Sequence, residues 1–448
     1  MTTDRVAVAI GDGYPLRVAT LDAQAGHLER ATRRALLAGG AEVVVALTTG
    51  DQRSFGERAQ LLRDARPDLV IVPLGDRGGA DRLTILAEPL RFGCAAQRPA
   101  PRVLLASGDD GAIARATPLL APFAIDLVPD IRGDEGRSRV AGRIRELRGS
   151  EGVLRDEVVE ELALRVAAVR GAPTLVVDVA GSSTSLVRAD ATGALMAAHA
   201  RPLGIGRGAD HVVARAGLDR VRRWIPWPVD APTLLDRVFG RARWPDAVAV
   251  DREAIALEVA LAHEAVAHAL ADARVAGIDD ALREAATILL TGRLASLADA
   301  GSTLLVAVDA VQPEHPAAVA RDEEGTLIAH AADALASGEH AALDAAIRER
   351  LSPLAAVVPV AARRSVVRIG LGAKVREERV ERDAFFVLAA QGIVDVSGQG
   401  VASARVAAGG FGVLLDARPR PLALPPRDAE RVPAVARWYE AVGALRSP

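Results

Sequence analysis

The stretch of sequence most suggestive of chemistry is an apolar strand that ends near a carboxylate and runs into a turn of small and hydroxyl-bearing residues. It extends from Leu175 to Ser185 and reads LVVDVAGSSTS, with Asp178 close to the end of the strand. In such a turn, backbone N–H groups and hydroxyl groups can surround a phosphate, and the carboxylate can hold Mg²⁺ through water. The pattern therefore predicts a phosphate-binding turn with Asp178 as the candidate metal residue.

A second turn of small residues follows a later strand. Residues Ile288–Leu290 form a short apolar run that leads directly into Thr291 and Gly292. Two such junctions resemble, in outline, the paired phosphate loops of the actin, hexokinase and heat-shock ATPase superfamily. The alternative is an ordinary β-hairpin turn and an ordinary strand-to-helix turn, with no ligand. On the first interpretation, Asp178 faces an open cleft with Gly292 across from it.

Three other motifs indicate a ligand less strongly. His263 and His268 are five positions apart and lie on different faces of a helix, whereas helical zinc sites place two His residues four apart. The segment Gly11–Gly13 lacks the third glycine and the following helix of a dinucleotide fingerprint. The loop Gly75–Gly79 could present N–H groups to an anion, although a tight strand-to-helix turn is the simpler interpretation. No Asp-x-His-x-x-Gly string occurs, so direct cobalamin ligation is not expected.

Composition and charge exclude several classes of function. Aromatic residues make up 3% of the chain, which argues against a site that stacks bases or sugars on rings. The formal net charge is −3 with interspersed signs, whereas nucleic-acid-binding proteins usually carry a clustered positive excess. The single cysteine, Cys94, excludes an internal disulfide and a Cys-rich zinc or iron–sulfur site. We expect no nucleic-acid partner.

The hydropathy pattern predicts a cytoplasmic protein. The sequence contains no uninterrupted run of about 18 uncharged apolar residues, the length that a transmembrane helix needs. The N-terminus shows no charged segment followed by an apolar stretch, as a signal peptide would. We therefore expect no membrane association.

Strands and helices alternate over residues 1–150, which predicts an N-terminal α/β domain with a parallel layer. The predicted strands are Val6–Ile10, Leu16–Leu21, Glu42–Leu47, Asp68–Pro73 and Arg102–Ala106. The predicted helices are His27–Ala38, Phe55–Ala65 and Gly111–Leu120. One long helical pattern over residues 137–169 then connects to the next domain.

Residues 151–350 are predicted to form a second domain that carries both candidate turns, and residues 351–448 a small β-rich domain. The predicted strands of the second domain are Thr174–Val179, Ser185–Ala189, Thr287–Leu290 and Thr303–Val308, and its helices are Asp251–Ala276, Ala281–Ala286 and Thr326–Ala336. The predicted C-terminal elements are Val357–Val360, Ser365–Ile369, Val394–Val396, Ala402–Val406 and Gly412–Asp416, closed by helix Ala429–Gly443. The expected fold class is α/β.

Segments spread over most of the chain resemble, in order, the MutL family associated with glutamate mutase, which is unrelated to the mismatch-repair protein of the same name. The most specific is Gly409–Leu422, GGFGVLLDARPRPL, which resembles the family pattern GG-x-LG-L-x-x-DARGRPL. The other similar segments are Gly13–Ala19 with His27–Val45, Pro67–Ile71 with Gly78 and Gly79, Asp178–Ser185, Ala200–Asp210 and Ala307–Pro313.

The chain departs from the family pattern at positions that bear on phosphate binding. Ala180 stands where the family has Gly, and Ser185 where it has Asp. Arg77 stands at the family's Asp, and Arg293 follows Gly292 where a second Gly is expected. An added side chain limits how closely the backbone approaches a phosphate. A further phosphate loop with which family members usually begin is also missing, so the resemblance is to a divergent, N-terminally shortened member.

The resemblance implies an actin-like (ribonuclease H-like) ATPase core and a chaperone-like accessory role beside an adenosylcobalamin-dependent mutase of the glutamate mutase or aminomutase type. It implies ATP and Mg²⁺ as ligands. The residues that would contact the nucleotide are Asp178, Gly181, Ser182, Ser183, Thr184 and Gly292. Because of the departures, we expect at most weak ATPase activity. The alternatives are a non-catalytic pseudo-ATPase scaffold and a small-molecule kinase with Asp12 or Asp76 as base.

The segment Gly409–Leu422 is predicted to be structural and not catalytic. Asp416 and Arg418 are two positions apart, so on an extended strand they share one face and can pair. Pro419 and Pro421 each remove a backbone donor, which suits an edge strand or the exit from a sheet.

Overall fold

Short apolar segments form a parallel sheet in the N-terminal unit. The computed structural model of the chain describes residues 9–13, 16–23, 27–75, 77–149, 152–297, 299–361, 364–371 and 374–445. The strands of this unit are β1 (Ile10–Gly11), β2 (Arg17–Asp22), β3 (Glu42–Thr48), β4 (Leu69–Pro73), β5 (Arg102–Ala106) and β6 (Ile125–Val128). Strands β2 to β6 pair in the order β3-β2-β4-β5-β6, and each pairing is parallel. The predicted parallel α/β layer is confirmed.

Helices cover both faces of this sheet, as is usual for parallel sheets. They are α1 (His27–Gly39), α2 (Phe55–Ala65), α3 (Arg77–Cys94), α4 (Asp110–Leu119) and α5 (Asp134–Arg148). Helices α1 and α5 share one apolar core with the sheet, and α2, α3 and α4 share the other. A capping box fixes the start of α2, because Ser54 and Glu57 each accept a hydrogen bond from the other's backbone N–H.

The connection to the next unit is interrupted, so the single helical pattern predicted over residues 137–169 is wrong. After α5, strand β7 (Val153–Leu154) pairs in parallel with β1, and α6 (Arg155–Arg170) begins directly afterwards. A Cβ atom at Gly152 would lie 2.0 Å from the Ala9 carbonyl oxygen, so glycine permits this close crossing. Most of the predicted strand Val6–Ile10 lies outside the described residues.

A mixed eight-stranded sheet forms the centre of the molecule. The remaining strands are β8 (Thr174–Val179), β9 (Thr184–Ala189), β10 (Leu195–Ala200), β11 (Thr287–Thr291), β12 (Ala317–Arg321), β13 (Pro353–Pro359), β14 (Arg364–Leu371), β15 (Lys374–Glu381), β16 (Phe385–Leu388), β17 (Gly392–Gly398), β18 (Val401–Ala408) and β19 (Gly412–Asp416). The central order is β10-β9-β8-β11-β12-β13-β19-β16. Strands β8, β9 and β10 are an antiparallel meander, and β11 and β12 run parallel to β8.

The C-terminal region both extends this sheet and packs a second one against it. Strands β13, β16 and β19 belong to the central sheet, whereas β15-β14-β17-β18 form an antiparallel sheet. Buried side chains of β13 and β19 share an apolar core with β14 and β17. The α/β class and the β-rich character of the C-terminal region agree with prediction.

Helices also cover both faces of the central sheet. They are α7 (Ala209–Ala216), α8 (Leu218–Arg222), α9 (Ala231–Arg243), α10 (Arg252–Ala276), α11 (Asp279–Arg283), α12 (Gly292–Ala295), α13 (Ala300–Val306), α14 (Thr326–Ser337), α15 (Ala341–Arg350) and α16 (Asp428–Ala441). Helix α10 packs on one face, and α6, α14 and α15 pack on the other. By length and composition α10 could cross a membrane, but 78% of its most apolar window is buried inside the protein, as in the core helix of a soluble protein.

The predicted strand Thr303–Val308 is wrong, because this segment is helical. Helix α13 continues into a π-helical turn, Ala307–Val311. The Asp299 carboxylate accepts hydrogen bonds from the backbone of Gly301 and Ser302 and so caps the helix. The whole run is buried, and a short apolar run without periodicity does not distinguish a buried strand from a buried helix.

Candidate functional site

The candidate phosphate turn is a tight connection between β8 and β9. The backbone N–H of Ala180 donates to the carbonyl of Ser183 at 2.9 Å. Ser183 and Thr184 are fully buried, and the Thr184 hydroxyl donates to the Leu203 carbonyl at 2.7 Å. A Cβ atom at Gly181 would meet open space. Only the tip of the turn, Gly181 and Ser182, is partly exposed.

A glycine-rich loop from residue 204 to residue 208 packs against this turn. The backbone N–H groups of Gly206 and Gly208 both donate to the Gly181 carbonyl at 2.9 Å. A Cβ atom at Gly204 would lie 2.5 Å from the Ser182 nitrogen, so only glycine allows this approach. The Gly-x-Gly-x-Gly spacing within the segment Ala200–Asp210 was the available signal for this loop. Through these hydrogen bonds the glycine-rich loop fixes the backbone of the β8–β9 turn at Gly181.

The structure brings Asp178 and Gly292 together, as predicted. Asp178 pairs with Thr291 in the parallel register of β8 and β11, and Val179 forms an isolated parallel bridge with Gly292. Gly292 has φ +72°, and a Cβ atom there would lie 2.5 Å from Asp178 Oδ1. The backbone of the second turn therefore lies directly against the carboxylate of the first.

Arg155, a residue that the sequence analysis did not single out, forms two hydrogen bonds to the carboxylate of Asp178. Its Nε donates to Oδ2 and its Nη2 to Oδ1, both at 2.7 Å. Asp178 is fully buried and the Arg155 side chain is 18% exposed, so the expectation that Asp178 faces an open cleft is wrong. Burial disfavours the charged form of Arg155, but Asp178 outweighs this and raises the pKa of the guanidinium. This is a bidentate buried ion pair.

The arrangement does not fit Mg²⁺ at Asp178. Both carboxylate oxygens are bonded to Arg155, whereas a cation needs at least one of them. The carboxylate of Asp322, at the end of β12, accepts backbone hydrogen bonds from Leu327 and Ile328 at 3.1 and 3.0 Å, so it serves as a helix cap. Within the described ranges, no group of three or more His, Cys, Asp or Glu residues could hold a metal ion.

A second carboxylate covers the tip of the turn from the N-terminal unit. The Ser182 hydroxyl donates to Oδ2 of Asp12, and Arg148 donates to the Asp12 backbone carbonyl. The negative charge of Asp12 thus lies at the hydroxyl predicted to contact a phosphate. A phosphate at Ser182 would lie beside the carboxylate of Asp12. Because like charges repel, this contact disfavours a phosphate there.

Arg293 is bonded to α10 and to the segment before it. Its guanidinium forms a bidentate pair with Glu258 of α10, with Nε–Oε2 2.9 Å and Nη2–Oε1 2.8 Å. It also donates to the Pro245 carbonyl at 2.7 Å. The residue that stands where the family has a second glycine therefore anchors α12 to α10.

A buried charge network lies beneath the turn and joins the N-terminal unit to the central sheet. Arg148 and Asp156 are both fully buried and form an ion pair, and Arg201 donates to Asp156 at 2.8 Å. Burial acts to raise the pKa of Asp156, but the nearby cationic groups outweigh it and hold that pKa well below its usual value. Arg148 also donates to the Gly39 carbonyl at 3.0 Å. The network fixes α1 and α5 against α6.

Three residues at the edge of this network have the contacts of a Ser-His-acid triad. His199 Nδ1 lies 2.8 Å from the Ser185 hydroxyl, and Nε2 lies 3.1 Å from Glu160 Oε1. Ser185 and His199 are completely buried, so no substrate reaches the hydroxyl. The triad is a structural hydrogen-bond chain and does not indicate a hydrolase.

The other motifs take structural roles. His263 Nδ1 donates to the Val259 carbonyl at 2.8 Å, and its ring stacks on Trp224 at a centroid distance of 4.1 Å. Gly79 lies inside the first turn of α3, where a Cβ atom would lie 1.9 Å from the Leu74 carbonyl oxygen. The loop therefore adopts the strand-to-helix alternative. Asp76, one of the two candidate kinase bases, lies outside the described residues.

The Asp416 and Arg418 pair predicted from sequence is confirmed, and a third residue joins it. Arg418 Nε donates to Asp416 Oδ1 at 2.9 Å, and Nη2 donates to Asp309 Oδ1 at 2.6 Å. The guanidinium carbon lies 3.9 Å from the ring centroid of Phe385 and 4.4 Å from that of Trp438. Strand β19 is internal to the sheet, so the edge-strand alternative is wrong, and the chain leaves the sheet after Asp416.

Gly292→Ala is expected to destabilise the protein more than Gly277→Ala. Both glycines have φ +72°, but a Cβ atom at Gly277 meets open space, whereas one at Gly292 meets Asp178. The left-handed conformation alone costs about 1–2 kcal/mol, and crowding at Gly292 adds roughly 1–3 kcal/mol. Urea unfolding measures the difference. Equal losses would show that Gly292 does not press against the ion pair.

Asp156→Asn is expected to lower the free energy of unfolding by about 3–5 kcal/mol at pH 7, because it leaves buried arginines without their counter-charge. Since the folded-state pKa is depressed, this stabilisation is present above about pH 4 and is lost as the pH falls further. The difference from wild type should therefore shrink in acid. Asp272→Asn, in the partly exposed pair with Arg215, serves as control. Equal effects of the two variants would contradict the network's importance.

Comparison with known proteins places this arrangement in no family. The sequence matches no protein-family model, and no curated protein is significantly similar to it. The functional conclusion therefore depends on the geometry around Asp178 and on the sequence motifs.

Proposed function

We propose that this chain is a member of the actin-like ATPase superfamily with a degenerate nucleotide site, and that it acts by binding and not by hydrolysis. The strand order β10-β9-β8-β11-β12 supports the superfamily assignment. An antiparallel meander followed by two parallel strands is the order of a ribonuclease H-like core. The two candidate turns lie at adjacent strand ends, where this fold places its phosphate loops.

The ion pair between Arg155 and Asp178 is the main observation in favour of a site that does not hydrolyse ATP. Metal-assisted phosphoryl transfer needs a carboxylate that holds the metal ion near the phosphates. In this chain both oxygens of that carboxylate accept from a guanidinium. The contact of Asp12 with Ser182 adds negative charge at the same turn. Together they favour the scaffold alternative over an active ATPase.

We propose an adenosylcobalamin-dependent mutase of the glutamate mutase or aminomutase type as the partner, in the cytoplasm. The resemblance of Gly409–Leu422 and of the other segments to the mutase-associated family supports this assignment. The accessory role would be chaperone-like: the chain binds one conformation of the mutase in preference to another and so shifts its population.

Genes adjacent to this one and a binding assay test the partner. We expect a cobalamin-dependent mutase to be encoded nearby, and the purified mutase to co-elute with the full chain in size-exclusion chromatography without added nucleotide. Mutase activity should also persist longer during turnover when the chain is present. A neighbouring mutase that neither co-elutes nor is protected would contradict the proposal, as would the absence of such a gene.

A further inference from the structure

A polar cavity of about 540 Å³ opens beside the C-terminal strands. Its volume lies in the range of small-molecule sites. Three of its four charged lining residues are arginines, Arg382, Arg418 and Arg420, and the fourth is Glu314. Glu314 is 60% exposed and lies 3.9 Å from Arg283, which partly neutralises it. The cavity wall is therefore positively charged.

Arg418 is fixed in place with one donor group unused. Its Nε and Nη2 are bonded to Asp416 and Asp309, and aromatic rings cover the guanidinium. The side chain is 3% exposed, yet Nη1 has no hydrogen-bond partner among the residues that the structure describes. An unsatisfied buried donor is costly, and a donor beside a cavity is satisfied when a ligand supplies an acceptor.

Arg420 extends the same positive surface. Its Nη2 donates to Asp416 Oδ2 at 3.0 Å, and the side chain remains 22% exposed. Burial lowers the pKa of Arg420, with Asp416 acting against this. Asp416 thus orients both arginines, and Asp309 binds only Arg418, so part of the Arg420 guanidinium stays open to the cavity. Arg382, 59% exposed, lies on the same wall, and its Nε lies 3.8 Å from Asp383 Oδ1, a loose contact.

We propose that this cavity binds a small molecule through a carboxylate or phosphate group held by Arg418 and Arg420, with Arg382 at the mouth. The planar guanidinium forks match both kinds of oxyanion. The family-like motif DARPR thereby gains a second role: Asp416 orients the arginines, and the arginines bind the ligand. This site is built from residues other than those of the β8–β9 turn, so it does not depend on the nucleotide question.

Isothermal titration of the full chain with sodium phosphate and, separately, with sodium succinate tests the proposal at constant ionic strength. We expect saturable binding of at least one anion, and the arm that binds identifies the class. Arg420→Gln should weaken that binding at least tenfold, and Arg382→Gln several-fold. Arg405→Gln, on β18 with a 73% exposed side chain, is the matched control and should leave the affinity unchanged.

Stability is followed in parallel by thermal unfolding. Because Arg382 is largely exposed, Arg382→Gln should keep the wild-type melting temperature, so its loss of affinity cannot come from unfolding. The bound anion should raise the melting temperature of wild type and of Arg405→Gln, but not that of Arg420→Gln. Failure of the wild type to bind either anion saturably would overturn the proposal, as would binding that all three variants retain equally.

Discussion

Arg155→Met is expected to lower the free energy of unfolding by about 3–5 kcal/mol, because it leaves the Asp178 carboxylate buried without a counter-charge. Asp178 is completely buried, and both of its oxygens accept from Arg155 in the wild type. Met keeps most of the apolar stem of the side chain, so the loss reports the charge and its hydrogen bonds. Urea denaturation at neutral pH measures the effect.

Arg165→Met is the matched control, since Arg165 lies on the same helix and pairs with Asp344 at a partly exposed position. Its expected cost is about 0–1 kcal/mol. The double variant Arg155→Met, Asp178→Asn should recover much of the loss, because the neutral amide needs no counter-charge. If Arg155→Met is no worse than the control, or if the double variant is as unstable as the single one, Arg155 does not neutralise Asp178.

Arg418→Ala is expected to destabilise the protein by about 3–5 kcal/mol or more, because it removes the arginine that pairs with two buried carboxylates, Asp309 and Asp416. Burial alone would raise the pKa of Asp309, and Arg418 is the main group that lowers it. The variant also removes the cation between Phe385 and Trp438. The melting temperature measures the loss.

Arg427→Ala, at a side chain that is 82% exposed, provides the comparison for this prediction. It should change the melting temperature little. Wild-type stability in Arg418→Ala would show that the three-residue cluster does not hold β19 to the π-helical turn, and that the conspicuous motif in Gly409–Leu422 has no structural role.

The N-terminal sheet was predictable because its strands and helices have local signals. Buried runs such as Leu69–Pro73 are uniformly apolar, and the capping box of Ser54 and Glu57 marks the start of helix α2. The same local reasoning failed where tertiary contacts decide. The run Thr303–Val308 is buried and has no periodicity, so its sequence fits a strand as well as the helix that Asp299 caps. Strand β15 has the sequence KVREERVE. Its many charged residues give no apolar strand pattern, although the segment pairs with β14.

The sequence predicted the two turns of the candidate site, but not the ion pair that engages the carboxylate of Asp178. Asp178 lies near the end of one apolar strand and Gly292 directly follows another, so parallel pairing of the two strands brings them together. Arg155 precedes Asp178 by 23 positions and reaches it only through the packing of α6 on the sheet. One weak signal was present: a cation at the first position of a helix opposes the helix dipole, which favours a carboxylate partner outside the helix.

Steady-state phosphate release in the presence of Mg²⁺ and ATP tests the central claim most directly. With both oxygens of Asp178 bonded to Arg155, we predict no turnover above background for the wild type, and an unchanged baseline for Asp178→Ala. The control Asp272→Asn should give the same baseline. Turnover clearly above background in the wild type that Asp178→Ala abolishes and Asp272→Asn retains would contradict the account, because it would show that Asp178 is free to serve a bound nucleotide.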